Sequence, residues 1–321
     1  MPRIKSITLA PSALDRNGIS TTETLLATRL DFLINGALST GYDRNGLGLS
    51  QTPSSAAAMT LDGAVGTNWR DRGGGYVLIY GAADDTGRTF TVVGKDIRGD
   101  VITEAITGPD ATLIVLGATK FYEITSVTPD AATTGAIELG VNGYVDLSAA
   151  GAAQHVAIYS AGDDSAATIL VTGENRYGDA LTETITGINA GTSSSQKLNF
   201  SRVERLTMST GSAGAVEAGV DGLCESQWYV LNYRGSAFNV GLAVDVVSGT
   251  LTFAVQHTWH DVTAAGYTEG DETVFTHSTI TGKTADIDDN YTNPPRACRL
   301  AFTAHTSGSA ILHIAQVGSG T

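Results

Sequence analysis

The chain has 321 residues, enough for two to four domains with cores of their own, and it contains 38 Gly and only 16% charged residues. This composition excludes a disordered chain and favours short strands joined by glycine-rich turns. The formal net charge is −14, with 19 Lys and Arg scattered along the sequence, and no stretch has the 18 or more apolar residues that span a bilayer. We therefore expect neither a nucleic acid nor a membrane among its partners.

Residues 1–70 are the least regular part of the sequence. Residues 21–38 fit a short helix or a strand pair, residues 41–55 indicate a polar loop, and residues 57–65 indicate a strand. We expect the whole segment to form either an irregular arm that grips a neighbouring subunit or added strands on the first sandwich. The N-terminus has no apolar stretch of secretory type, which predicts retention in the cytoplasm. Cys224 and Cys298 are then expected to be free, buried thiols.

Residues 77–143 and 156–222 are the same unit written twice, in register and without a gap. The run VLIYGAADD from Val77 returns as VAIYSAGDD from Val156, and the closing GAIELGVNG returns as GAVEAGVDG. A fixed period indicates a duplicated module in which each copy folds around its own core. Tandem β modules of this size more often space, bind or assemble than catalyse.

Within the first copy the hydrophobic period is 2, which predicts strands near residues 76–80, 89–94, 101–107, 120–127 and 136–141. Phe90 and Val92 should face the core, with Thr89, Thr91 and Val93 on the other face. About six short strands in each copy are typical of an immunoglobulin-like sandwich without a core disulfide. The predicted fold class is all-β: two tandem immunoglobulin-like sandwiches, at 71–147 and 148–222, followed by a C-terminal sandwich or jelly-roll-like domain at 223–321.

Acidic residues recur in both copies at equivalent places. Asp84-Asp85 and Asp163-Asp164 could gather calcium, but no further ligands recur at fixed spacing, so we expect them to shape turns. Glu104 and Glu183 are expected to be solvated charges on an outward strand face. Neither pattern supports catalysis or a cofactor.

The repeat does not continue into the C-terminal region, where the sequence predicts two hairpins. Residues 236–246 and 251–259 should be strands joined by a tight turn at 247–250, and residues 297–303 and 310–317 should be strands joined at 306–309. The connection at 261–295 is long enough to predict a functional loop or an oligomer contact.

Candidate metal ligands in this region do not form a site. His257 and His260, three apart on a strand, point to opposite faces, so a zinc ion would need a third ligand such as Asp261 or His277 from the loop. Residues 286–290 (DIDDN) have the spacing of a calcium loop but lack the glycine and distal glutamate of an EF-hand. No nucleophile elbow or phosphate-binding loop is present. We expect no metal, no cofactor and no enzymatic activity.

The repeated motifs resemble those of virion proteins of tailed bacteriophages, over roughly residues 30–321. The motifs are the Ile-Tyr-x-Ala-x-Asp-Asp strand and turn, the Val-x-Gly-x-x-x-x-Gly-Asp hairpin, Thr-Glu-x-Ile-Thr-Gly, and the C-terminal NVGLAV. The resemblance implies a non-enzymatic structural protein located in the virion, assembled in the host cytoplasm and released by lysis. Its implied partners are other virion proteins, either the major capsid protein or tail proteins, and further copies of itself in a homo-oligomer.

Three functions stay open: two are positions of a virion structural protein, and the third belongs to a different class. The first is a capsid-exterior decoration or head-associated protein, and the second is a tail or collar component such as a ring, tube or fibre-anchoring protein. The third is a carbohydrate- or receptor-binding module, motivated by aromatic side chains that could stack on sugar rings: Trp259, Tyr267, Phe275 and Tyr291. These rings could equally belong to the core or to subunit contacts.

Overall fold

The computed structural model describes residues 3–11, 15–23, 43–148, 153–194, 198–232 and 239–316. Within them the chain is all-β, with 22 strands in five antiparallel sheets and one 3-10 turn at Arg70–Arg72. That part of the chain contains no helix long and apolar enough to cross a membrane. The strands up to the end of the first repeat are β1 (Arg3–Leu9), β2 (Asp15–Glu23), β3 (Asp43–Gln51), β4 (Gly75–Gly81), β5 (Thr89–Lys95), β6 (Val101–Thr107), β7 (Ile114–Phe121), β8 (Glu123–Pro129), β9 (Ile137–Asn142) and β10 (Val145–Asp146).

The remaining strands belong to the second repeat and to the C-terminal unit, which we define as residues 223–316. They are β11 (Val156–Asp163), β12 (Thr168–Glu174), β13 (Ala180–Thr186), β14 (Asn189–Ser194), β15 (Arg202–Met208), β16 (Val216–Val220), β17 (Cys224–Glu225), β18 (Tyr229–Val230), β19 (Val240–Thr258), β20 (Phe275–Thr276), β21 (Ile287–Tyr291) and β22 (Ala297–Gln316).

Each repeat places two sheets around one apolar core. In the first repeat the sheets are β3-β9-β4-β7 and β6-β5-β8, and in the second they are β14-β11-β16-β2 and β10-β15-β12-β13. The core of the first repeat is centred on Trp69, Phe90 and Phe121, and that of the second on Phe200. Phe90 and Val92 are fully buried in β5 while Thr89, Thr91 and Val93 are not, which confirms the predicted alternation.

The three N-terminal strands pair with the three units in reverse order. β1 pairs with β22 of the C-terminal unit, β2 with β16 of the second repeat, and β3 with β9 of the first repeat. β9 and β16 are equivalent strands of the two copies, so both repeats accept an added strand at the same edge. Leu9 and Leu47, from β1 and β3, are fully buried in the cores that these strands join.

The segment after each repeat adds a short strand to the unit that follows. β10 pairs with β15 of the second repeat, and its equivalent β17 pairs with β22 of the C-terminal unit. Consecutive units therefore share backbone hydrogen bonds, which tie each unit to its neighbour more firmly than a flexible linker would.

The two hairpins predicted for the C-terminal region are wrong. Residues 247–250 lie inside the 19-residue strand β19, and residues 306–309 lie inside the 20-residue strand β22. These two strands pair with each other along nearly their whole length, with register shifts near the middle. Side chains from both halves of each strand join a single core, so the long ribbon folds over on itself. Residues 236–238 of the first predicted strand and Val317 of the last lie outside the described residues.

Two facing glycines allow the ribbon to bend. Gly249 and Gly308 are paired, with φ values of +85° and +98°. A Cβ atom on Gly308 would lie 1.9 Å from the carbonyl oxygen of Ser248, so no other residue fits this crossing. The glycine that suggested a turn therefore marks a bend within a continuous strand.

The N-terminal predictions also need correction. Residues 41–55 were expected to be a loop, but β3 occupies Asp43–Gln51 because it completes the edge of a sheet. Residues 57–65 were expected to be a strand, yet they are irregular, and Met59 reaches the core with its N–H donating to the carbonyl of Val127. Of residues 21–38, only residues 21–23 are described, at the end of β2.

Candidate functional site

The hairpin turn between β12 and β13 presents an exposed tyrosine towards the C-terminal unit. The Asn175 side chain accepts hydrogen bonds from the N–H groups of Tyr177, at 2.8 Å, and Asp179, at 3.0 Å, and so closes the turn. Gly178 takes a φ of +81° within it. Tyr177 is left 59% exposed.

Glu272 holds two aromatic side chains of the C-terminal unit in place. Its carboxylate accepts hydrogen bonds from Trp228 Nε1, at 3.0 Å, and from the Tyr267 hydroxyl, at 2.8 Å. The Arg299 guanidinium lies 4.4 Å from the centre of the Trp228 ring, on which it stacks. Because Glu272 is buried and accepts at both oxygens, the two rings keep a fixed orientation.

Glu269, which lies close to these two rings, is a buried carboxylate, and one of its oxygens lacks a hydrogen-bond partner among the described residues. The Arg176 guanidinium lies 3.7 Å from Glu269 Oε1, beyond hydrogen-bond distance, and Oε2 has no hydrogen-bond partner among the described residues. Burial raises the pKa of the Glu269 carboxyl. The residue is 9% exposed, so its polar group has been removed from water without full compensation.

The second repeat and the C-terminal unit meet at a buried histidine–carboxylate pair. His155 Nε2 donates to Glu225 Oε2 at 3.0 Å, and Asn199 donates to the same oxygen at 2.7 Å. Arg176 donates to the backbone carbonyl of Glu225 at 2.7 Å. These contacts fix the hairpin of the second repeat against the strand that begins the C-terminal unit.

The ionisation of this pair makes the junction sensitive to pH. Burial alone would raise the pKa of Glu225, but the hydrogen bond and charge of His155 outweigh it and lower that pKa to about 2. Burial alone would lower the pKa of His155, but Glu225 and Asp221 outweigh it and raise it. The Glu225 contribution to stability is present above its usual pKa of 4.5 and is lost as the pH falls towards 2. The His155 contribution is present below its usual pKa of 6.5 and is lost as the pH rises through the raised value, so the pair stabilises most between pH 4.5 and 6.5.

These groups surround a cavity of about 580 Å³ between the second repeat and the C-terminal unit, which we call the junction cleft. Tyr177 and Asp179 line it from the repeat, and Trp228, Tyr267 and Glu269 line it from the C-terminal unit. Its volume falls in the range of small-molecule sites, which combine apolar walls with a few polar groups. The arrangement suits binding by ring stacking and hydrogen bonding.

The repeated aspartates shape turns, as the sequence predicts. Asp84 accepts hydrogen bonds from the Thr86 N–H and hydroxyl, and these bonds lower its pKa. Asp163 does the same with Ser165. The second aspartate of each pair is buried and holds a distant loop in place. Asp85 accepts a hydrogen bond from the Thr134 N–H, and Asp164 accepts one from the N–H at the equivalent position of the second copy.

The prediction that Glu104 and Glu183 face outward is wrong. Both lie on the inward side of their strands and are half-buried. Glu104 accepts hydrogen bonds from the N–H groups of Ala118, at 2.5 Å, and Thr119, at 3.2 Å. These N–H groups lie at an irregularity in β7, so the glutamate supplies acceptors that the neighbouring strand does not.

His257 and His277, two of the histidines in the C-terminal unit, pack against aromatic rings. His257 Nδ1 lies 3.1 Å from the Tyr291 hydroxyl, and His277 Nδ1 accepts from two backbone N–H groups at 3.2 Å. His260 is exposed beyond the end of β19. The acidic run at 286–290 lies largely in strand β21 rather than in a loop, because it pairs with β19. Across the described residues, no three or more His, Cys, Asp or Glu side chains are grouped to hold a metal ion.

The four aromatic residues that suggested sugar binding do not line one cleft, although Phe275 and Tyr291 both pack on His257. Tyr291 is buried, Phe275 stacks on His257, and Trp259 is 53% exposed and lies outside the junction cleft. Of the four, Tyr267 alone lines the cleft. Cys224 and Cys298 are buried free thiols, as predicted.

Sequence reasoning missed Tyr177, Trp228 and Glu269. One signal was present: the two copies differ at the hairpin turn, where DIRGD at 96–100 becomes NRYGD at 175–179. An aromatic residue that replaces an arginine at a turn between otherwise similar copies points to a contact specific to the second copy. The partners of that turn lie in the next unit of the chain, and no local pattern reveals them.

Comparison with known proteins gives no relative: no family model, no curated protein and no solved structure matches this chain.

Proposed function

We propose that this chain is a non-enzymatic structural component of a tailed-bacteriophage particle. In this proposal the two repeats are immunoglobulin-like sandwiches, and the protein lies on the capsid exterior as a decoration or head-associated protein. Its partners are the major capsid protein and further copies of itself. The observation that carries the proposal is the architecture: three β units are tied in series by shared strands, and each also takes a strand from the N-terminal segment. Such a chain suits a load-bearing scaffold.

Exposed apolar side chains on the first repeat support a role in assembly. At the β5–β6 hairpin, Ile97 is 61% exposed and Val101 is 70% exposed. The equivalent hairpin of the second repeat packs against the C-terminal unit through Arg176. The hairpin of the first repeat therefore offers a surface that another virion protein can cover.

The proposal is tested on purified particles of the phage that encodes the chain. Mass spectrometry should find the protein in particles purified by density gradient, and immunogold labelling should place it on the head. A symmetry-resolved image gives the copy number: a lattice multiple supports decoration, whereas a ring of six or twelve at the neck or tail replaces it with the tail or collar alternative. Absence from washed particles would refute a virion role.

A further inference from the structure

We infer that the junction cleft is a binding site for a neutral oligosaccharide. This inference is independent of where the protein lies in a particle, because it rests on the walls of the cleft. Tyr177 faces the cleft from the second repeat, and Trp228 and Tyr267 line it from the C-terminal unit. Aromatic rings on both sides match the apolar faces of pyranose rings, which stack on such surfaces.

The walls of the cleft are already ordered. Trp228 and Tyr267 both donate to the buried carboxylate of Glu272, and Arg299 stacks on the Trp228 ring. A ligand therefore does not have to immobilise these side chains, which lowers the entropic cost of binding.

The polar groups of the cleft fit hydroxyl groups better than a charged ligand. Asp179 is exposed, and its carboxylate accepts only a long hydrogen bond from the Asn175 side chain, at 3.4 Å. Glu269 is buried with one oxygen unpaired among the described residues, and burial makes its carboxyl easier to protonate. Sugar hydroxyls can donate to the exposed Asp179 carboxylate, and Thr268 adds an exposed hydroxyl. The Arg176 guanidinium, 3.7 Å from Glu269 Oε1, offsets part of the negative charge that would attract a cation to the cleft.

The test is a glycan array probed with the full-length chain, followed by calorimetric titration of the best neutral oligosaccharide. We expect Tyr177→Ala to weaken binding at least about tenfold, the size expected for losing one stacking ring. Because Tyr177 is 59% exposed, this variant should fold normally, as an unchanged melting temperature would verify. Asp179→Asn, which keeps the size of the side chain but removes a charged acceptor that lines the cleft, should also weaken binding.

Trp259→Ala is the matched control, since Trp259 is an exposed aromatic residue of the same unit outside the cleft. It should leave the dissociation constant within about twofold of the wild type. A flat array with the wild-type chain would overturn the inference. So would binding that Trp259→Ala abolishes while Tyr177→Ala does not, or binding confined to amine-bearing glycans and lost in salt, which would indicate a cationic ligand.

Discussion

Replacing Leu9 by alanine tests whether the N-terminal strand belongs to the core of the C-terminal unit. β1 forms seven residue pairs with β22, and the Leu9 side chain is fully buried in the core cluster of that unit. Truncating a buried leucine to alanine removes its transfer free energy and leaves a cavity, at a cost of about 2–5 kcal/mol. Since Leu9 has no measurable exposure, we expect a loss of at least about 2 kcal/mol from the C-terminal unit.

Hydrogen exchange measured by mass spectrometry resolves this loss by unit. A chain with several cores does not unfold in one two-state transition, so a single melting curve would not assign the effect. A loss of about 2 kcal/mol raises the opening constant about 30-fold. Amides in residues 310–316 should therefore exchange about 30-fold faster where exchange requires opening of the unit. Amides of β5, in the first repeat, should keep their wild-type rates.

Thr8→Ala is the matched control for this experiment. Thr8 lies next to Leu9 on β1 but is exposed, so its truncation should change stability by less than about 0.5 kcal/mol. If Leu9→Ala and Thr8→Ala gave the same exchange rates in residues 310–316, β1 would not be part of this core. The pairing of β1 with the C-terminal unit would then be wrong.

Three further perturbations probe the junctions and the bend. His155→Gln breaks the buried pair with Glu225 and should lower the free energy of opening at this junction by about 3–5 kcal/mol. Hydrogen exchange of amides in β11 and β17, referred to the intrinsic exchange rate at each pH, should show this loss to be larger at pH 5.5 than at pH 8.5, and equal losses would contradict the raised pKa of His155. Gly308→Ala should prevent the C-terminal unit from folding, because the Cβ of the alanine would overlap backbone atoms. Hydrogen exchange or near-ultraviolet circular dichroism would show this loss. Gly266→Ala, at a φ of +84° in open space, should cost only about 1–2 kcal/mol, and a milder effect at Gly308 would refute the bend. Arg202→Ala removes a guanidinium that stacks 3.5 Å from the centre of the Tyr144 ring and donates a hydrogen bond to the first repeat. Limited proteolysis should therefore cut faster between the repeats while both remain folded.

The sequence predicts the strands of the repeats well because their signal is local. β5 alternates buried and exposed side chains, and the same alternation is found in β12, the equivalent strand of the second copy. The side-chain period does not show where a strand stops, and this explains the error in the C-terminal region. Residues 247–250 have the composition of a tight turn, but their glycine faces Gly308 across a ladder that a single strand's sequence does not reveal.

The N-terminal pairings and the junction cleft depend on contacts between distant residues. β3 is rich in glycine and polar residues, and it is a strand because β9 offers it an open edge. Glu104 looks solvated by its type, yet it bonds to backbone N–H groups of β7 that only the tertiary fold brings near. The cleft likewise joins a turn near residue 177 to side chains near residues 228 and 267, so its chemistry is visible only after folding.

Each N-terminal strand is the outermost strand of the sheet that it joins. β1, β2 and β3 therefore move an open sheet edge outwards by one strand in each of the three units, and an open edge can pair with another strand. Arg3 on β1 pairs with Gln316 on β22. Open sheet edges and exposed apolar groups such as Ile97 and Val101 are the kinds of surface through which a folded β protein can contact another chain.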